Sequence, residues 1–246
     1  MEPLDSVRLN LKKINMLGLG NSIITGGALE EAFTPAALTG ITHWWRSDVG
    51  VEESDESAPE DGEQITKWRD QIGTEHATAG EDWPTWVASE EALTFGGTDK
   101  VLVLPSGDIS LSGDFSIWIR VKFVGITNAD KFIIDSSNGN MFWRITNTTT
   151  SRVKVAAGSG GNNDFTVSTL GTSAYYNIGI ERASGSMRLY VGNTESSTGA
   201  ISNTTTITFD RIKGCLSDYF KTLIVCTNAL STAERANMNT WLDANL

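Results

Sequence analysis

The side chains of this chain that could do chemistry are its carboxylates, its two histidines, its two cysteines and a set of tryptophans. Carboxylates are densest between 48 and 63, where Asp48, Glu52, Glu53, Asp55, Glu56, Glu60, Asp61 and Glu63 fall among Gly, Ser and Pro. Two carboxylates flanking a glycosidic bond at about 5–5.5 Å would make a retaining glycosidase. The nearest approach to a one-strand E-x-D-x-x-E arrangement is Glu53-Ser-Asp55-Glu-Ser-Ala58, which ends on Ala and sits in loop-like sequence. Hard oxygen ligands at this density could also hold Ca²⁺, with Asp48 and Asp55 as the candidate ligands, but the run has no D-x-D-x-D-G spacing. His43 and His76 have no Cys, Asp or Glu beside them at a metal-ligand or nucleophile spacing, and they read as structural. Cys215 and Cys226 lie eleven positions apart and read as free thiols, since a bridge needs the chain to reverse between them. The loop Gly158-Ser-Gly-Gly-Asn-Asn lacks the Lys-Ser/Thr ending of a phosphate loop. No catalytic set emerges, and no residue pattern calls for a cofactor.

Aromatic rings offer a different chemistry. Trp83 and Trp86 stand close together in a polar stretch, Trp118 is the odd member of an amphipathic strand face, and Trp143 lies on a later strand. Each is a candidate platform on which a sugar ring could stack, with packing into the core as the competing role.

The elements that must position these residues are β-strands. In 246 residues the chain carries 24 Gly, 8 Trp and 9 Phe, a composition suited to many turns and a large core. Its net charge of -11 repels phosphate backbones and anionic lipid, so nucleic-acid binding and membrane insertion are not expected. The beginning of the sequence shows neither a cationic leader nor an apolar core, and no run approaches the roughly 20 apolar residues of a membrane helix. Residues 1–37 read as an arm, locally basic through Arg8, Lys12 and Lys13, with Leu9, Leu11, Ile14 and Leu17 as apolar positions able to dock onto a neighbouring subunit.

Strand signals follow at short intervals. Ile41–Ser47 is the first, Ala92–Phe95 and Val101–Leu104 are expected to form a hairpin, and Phe115–Phe123 alternates cleanly. Lys131–Asp135 and Met141–Thr146 make a second hairpin across Asn138-Gly139. In Tyr175–Val191, Tyr176, Ile178 and Ile180 share one face with Met187, Leu189 and Val191, across an Ala183-Ser-Gly-Ser turn in which Gly185 takes positive φ. One helix, 231–245, closes the chain: Ser231 and Glu234 form a capping box, and Met238, Trp241 and Leu242 form an apolar face. This order predicts an all-β, two-sheet antiparallel jelly-roll sandwich with an extended N-terminal arm and one C-terminal α-helix.

Three stretches also resemble a known family. They are Trp45-Arg-Ser-Asp-Val-Gly followed by Ile65-Thr-Lys-Trp-Arg-Asp-Gln-Ile-Gly, with Pro84 and Leu93-Thr-Phe-Gly-Gly-Thr; Tyr176-Asn-Ile-Gly-Ile-Glu-Arg to Leu189-Tyr-Val-Gly; and Gly214 through Leu223-Ile-Val to Ala229-Leu-Ser-Thr-Ala-Glu-Arg. Together they make residues 38–246 similar to the concanavalin A-like lectin/glucanase jelly rolls in their LamG-like form. The resemblance implies two antiparallel sheets, and it leaves function open among lectins, glycosidases and structural domains. The glucanase members' E-x-D-x-x-E is missing here. Met16-Leu-Gly-Leu-Gly-Asn-Ser, with Gly26-Gly27 after it, is similar to the start of tailed-phage virion proteins that carry such domains. The expectation is therefore a non-enzymatic virion structural protein, made in the host cytoplasm: a capsid decoration or cement protein docked by its arm to other virion proteins, and a homo-oligomer. The alternative is a carbohydrate- or receptor-binding tail fibre, spike or adhesin domain that contacts a host surface glycan.

Overall fold

The strand Phe115–Lys122 sits at the middle of one sheet because its side chains are apolar in both directions: Phe115, Ile117, Ile119 and Val121 on one face, Trp118 on the other. The computed structural model that shows this describes residues 33–246 apart from 81, 97–99, 105–108, 127–130, 138–140, 155–161 and 214–217. The arm positions Leu9, Leu11, Ile14 and Leu17, the Asn138-Gly139 turn and Cys215 lie outside the described residues.

Phe115–Lys122 pairs antiparallel with Tyr175–Ala183 on one side and Tyr219–Cys226 on the other. Outward from these, the first sheet adds Ser186–Val191 and Thr194–Glu195 at one edge, Ala92–Thr94 and Thr85–Val87 at the other. Ile41–Arg46 pairs with Tyr219–Cys226, and Ile201–Ser202 with Ser186–Val191. The second sheet runs Asn162–Thr166, Thr150–Lys154, Phe142–Asn147, Lys131–Ile134, Arg211–Ile212, Leu102–Val103, Ala77–Ala79, Lys67–Trp68, Val51–Glu52. A two-stranded ribbon joins Ile109–Leu111 to Ile207–Phe209. The inner faces of the two sheets share one apolar core, in which Ile119, Ile180 and Leu223 of the first meet Trp68, Trp143 and Ile212 of the second.

The hairpin Tyr175–Val191 forms as its alternation predicts. Ser184 and Gly185 at its tip have φ of 50° and 74°, a left-handed pair that matches the twist of the flanking strands. Ile178, Ile180, Met187 and Leu189 enter the core, with Tyr176 and Val191 packed against it. The second hairpin also forms, Lys131–Ile134 against Phe142–Asn147.

Two expectations are corrected. Ala92–Thr94 and Leu102–Val103 are not partners: the first pairs with Thr85–Val87 and Tyr219–Cys226, the second with Ala77–Ala79 and Arg211–Ile212. The two strands belong to different sheets, although the Gly-Gly-Thr-Asp sequence between them reads locally as a tight turn. The other concerns the outer face of Phe115–Lys122, which is buried rather than amphipathic because the C-terminal helix lies on it.

That helix, Thr232–Asn245, starts at Ser231 with both capping-box bonds: the Glu234 N–H donates to Ser231 Oγ at 3.2 Å, and the Ser231 N–H donates to Glu234 Oε2 at 2.9 Å. Met238, Leu242 and Leu230 bury against Trp118, Ile224 and Cys226 of the sheet, while Trp241 is only half-buried, edge-on to Trp44 at 5.4 Å. Burial pushes the Cys226 thiol up to about 12, which makes it a packing residue rather than a nucleophile. Among the described residues no helix is long and apolar enough to cross a membrane.

Candidate functional site

The four tryptophans divide into two kinds. Trp118 projects from the middle of the first sheet over Gly179, which has no Cβ to obstruct it: a Cβ there would stand 2.2 Å from Trp118 Cε2. The helix covers the ring, Tyr190 stacks beside it at 6.2 Å, and its Nε1–H donates to Glu181 Oε1 at 3.1 Å. Trp143 lies between the sheets, edge-on to Phe132 at 5.1 Å, with its Nε1–H donated to Ser151 Oγ at 3.0 Å. Both are fully buried, so neither offers a ring face to a ligand, and the expectation that they act as stacking platforms is corrected. The reason is non-local: each indole N–H finds its acceptor inside the fold, and packing takes the rest.

Trp83 and Trp86 are different. Trp83 is 36% exposed, and Trp86, on the edge strand Thr85–Val87, is half-buried with part of its ring against the core. The acidic loop holds this edge in place through backbone bonds. The Trp86 N–H donates to Glu63 O at 2.8 Å, the Gly62 N–H to Trp86 O at 2.9 Å, and the Ile65 N–H to Pro84 O at 2.9 Å. The Ala88 N–H donates to Asp61 Oδ1 at 2.8 Å, and Lys100 Nζ donates to Thr85 Oγ1 at 3.1 Å. The fold therefore brings an aromatic edge beside carboxylates, a combination able to stack on a sugar face and accept its hydroxyl protons.

The carboxylates of the loop do not converge on a cation. Asp48 pairs with Arg46, Asp55 accepts from the Ser57 N–H and Oγ, and Glu52 pairs with Arg69 and Lys67. Among the described residues no three His, Cys, Asp or Glu side chains are grouped to hold a metal ion, so Asp48 and Asp55 are not brought together as the calcium candidate required.

The histidines form a constellation that sequence spacing does not show. Asp70 forms a bridge with Trp45, and this places its carboxylate against the first strand. Its Oδ2 lies 2.7 Å from His43 Nδ1, its Oδ1 accepts from the Trp44 N–H at 2.9 Å and the Ile72 N–H at 3.0 Å, and its own N–H donates to His76 Nδ1 at 3.1 Å. Burial alone would raise the Asp70 carboxyl, but the bond with His43 and those from backbone N–H groups outweigh it and hold the group below its ordinary range. His43 stacks flat on Trp45 at 5.2 Å. This is the orienting half of a nucleophilic triad, but among the described residues no hydroxyl or thiol is bonded to His43, so its work is to fix the first strand. A histidine and an aspartate 27 positions apart carry no local signal of their pairing.

No family model matches the chain. No curated protein sequence matches it either. Its fold does match solved structures. A Trypanosoma rangeli sialidase superposes with a TM-score of 0.54 at 9% identity, over 83% of this chain and 33% of that one. A botulinum neurotoxin type C structure, described in terms of cell entry through two ganglioside molecules, superposes with a TM-score of 0.55 at 12% identity, over 82% and 51%. The binding domain of botulinum neurotoxin DC in complex with SialylT gives 0.54 at 10%, over 85% and 52%. The chain thus spans a third to a half of these proteins, and at such identity the likeness establishes a lectin-like β-sandwich fold and nothing of their activity.

Proposed function

We propose that this chain is a non-enzymatic virion structural protein of a tailed bacteriophage, a capsid decoration protein that docks through its N-terminal arm. The observation that supports this reading is that the chain fills the inner faces of both sheets and the outer face of the first by itself. The inner faces of the sheets fill each other, and the outer face of the first sheet is filled by the chain's own helix through Met238 and Leu242. The arm's Leu9, Leu11, Ile14 and Leu17 are then the apolar positions that meet a neighbouring virion protein, with many copies stiffening the shell. The His43–Asp70 pair orients a strand. The test is deletion of residues 1–25 and mass spectrometry of purified particles. The body folds, attachment is lost, and the intact protein is present in hundreds of copies. Attachment of the truncated chain would sink the arm reading, and a handful of copies would move the protein to the tail.

A second reading, a carbohydrate- or receptor-binding module, is favoured by the exposed Trp83 beside Trp86 and the loop carboxylates. Structural neighbours whose descriptions name gangliosides and SialylT add to it. A glycan array with wild type and Trp83→Ala separates the readings: signal lost in the variant supports binding at this edge, and no signal with wild type removes it.

A further inference from the structure

An edge of each sheet ends at the same side of the sandwich. Ser186–Val191 reverses into Thr194–Glu195, the edge strand of the first sheet, and the chain turns again at once, the Gly199 N–H donating to Ser196 O at 3.0 Å. That turn is stitched to Asn162–Thr166, the edge strand of the second sheet. The Ser197 N–H donates to Thr166 O at 3.1 Å, and the Thr166 N–H donates to Thr198 Oγ1 at 2.7 Å. Beside the stitch lies a cleft of about 240 Å³. One water needs roughly 10–15 Å³ and a drug-sized ligand roughly 300–1,000 Å³, so the cleft is of a size for a single small ring.

Its chemistry is narrow. Val167, part of the core, and Val191, packed against the core, give it an apolar side. Thr166, Ser168, Thr194 and Ser197 are exposed and bring hydroxyl groups. Glu195 brings one carboxylate, whose Oε1 lies 3.2 Å from Arg188 Nε. Ser196 is the informative member. It is 8% exposed, its N–H donates to Leu189 O at 2.8 Å, and its Oγ has no hydrogen-bond partner among the described residues. A buried hydroxyl left unpaired is costly. This one belongs to the wall of the cleft, and a turn about χ1 from one staggered well to another is all that a partner there requires of it. Hydroxyls both donate and accept, a carboxylate accepts, and valine methyls suit C–H groups. Those are the complements of a sugar ring, polar at its rim and apolar on its face. The residues that line the cleft include no Lys, Arg or His, so an anionic ligand would set its charge beside Glu195 with no cation of the lining to meet it.

We propose that this cleft binds one uncharged sugar ring, with Ser196 Oγ and the Glu195 carboxylate hydrogen-bonded to its hydroxyls and Val167 and Val191 against its C–H face. The site goes beyond both readings of function above. It lies at the edge of the first sheet opposite Thr85–Val87, so it needs neither the arm nor Trp83.

The test is a titration of the full chain, followed through its amide resonances by NMR, with methyl glucoside, methyl galactoside and methyl mannoside, and with sialic acid as the charged comparison. At least one of the neutral glycosides shifts the Val167, Ser196 and Ser197 amides saturably, with a Kd in the millimolar range that suits so small a ligand, and sialic acid leaves them unmoved. Ser196→Ala and Glu195→Ala each weaken binding roughly two- to tenfold, while unchanged amide shifts elsewhere show the fold intact. Trp83→Ala leaves the cleft's affinity as it was, so this site and the second reading stand or fall separately. No saturable shift with any of the neutral glycosides overturns the proposal. So do shifts confined to residues 83–87, sialic acid bound in the cleft as tightly as the glycosides, or affinity undiminished in either cleft variant.

Discussion

Trp118 and Gly179 show how one residue's role is decided by another far away in sequence. A tryptophan on the polar side of an amphipathic strand reads as exposed, yet Gly179 on the neighbouring strand leaves room for the indole to lie flat, and the helix seals it. A side chain at 179 removes that room. Gly179→Ala places a Cβ 2.2–2.6 Å from three indole carbons, and the ring cannot withdraw because Tyr190 and the helix pack its other sides. Overpacking of this kind costs about 1–3 kcal/mol, a fall in Tm of roughly 2–12 °C for a domain of this size. Gly125→Ala is the control, since nothing lies within 4 Å of the position its new Cβ would take, and its Tm stays at the wild-type value. Thermal melts of the two variants decide it; a Gly179→Ala protein as stable as the control would mean that Trp118 is not held where it is described. The same pair explains why the sequence is misleading about ligand-binding tryptophans: ring exposure depends on what covers the sheet, and periodicity within one strand does not contain that.

At the scale of elements, what can be read locally forms as read. The Phe115–Lys122 alternation, the Ser184-Gly185 turn and the Ser231/Glu234 capping box each involve residues within a few positions of one another. What depends on distant partners is not legible. The sequence between Ala92–Thr94 and Leu102–Val103 looks like a hairpin until Tyr219–Cys226 claims the first strand, and the two-residue strands Thr194–Glu195, at an edge of the first sheet, and Arg211–Ile212, inside the second, exist only because neighbouring strands template them. His43 and Asp70 meet for the same reason. The helix carries an electrostatic prediction. Burial would raise the Glu234 carboxyl, but hydrogen bonds from Thr39 and Ser231 overcome it and hold the group at about 2, against an ordinary 4.5. Because the folded value lies below the unfolded one, the stability this carboxylate adds is complete above about pH 4.5 and is lost as the pH falls through 2. Glu234→Gln therefore lowers Tm by a constant amount from pH 7 down to about pH 5, and the gap to wild type closes towards pH 2. A gap that stayed constant to about pH 2 would show that shape, and not charge, holds the helix start to Thr39.

At the scale of the molecule, the two apolar clusters are the two sides of the same strands. Ile117 and Ile119 face the second sheet while Trp118 between them faces the helix, and Leu223 and Val225 flank Ile224 in the same way. The helix cannot leave without exposing Trp118 and Ile224, and the sandwich cannot open without disturbing the strands that seat the helix. Unfolding of the body is therefore cooperative, with no stage at which the helix is released and the sandwich intact. Met238→Ala, which empties the centre of the helix contact, costs about 2–5 kcal/mol. It shifts the whole transition, so that helix loss followed by far-ultraviolet circular dichroism and core opening followed by tryptophan fluorescence still coincide. Trp45, Trp68 and Trp143 report the sandwich interior, and Trp118 reports the helix side. Two separated midpoints in Met238→Ala would show that the helix is an accessory to the sandwich rather than its third layer. Coincident midpoints would mean that the body keeps its helix-covered face rigid up to the temperature at which the whole body melts, as the proposed shell-stiffening role requires.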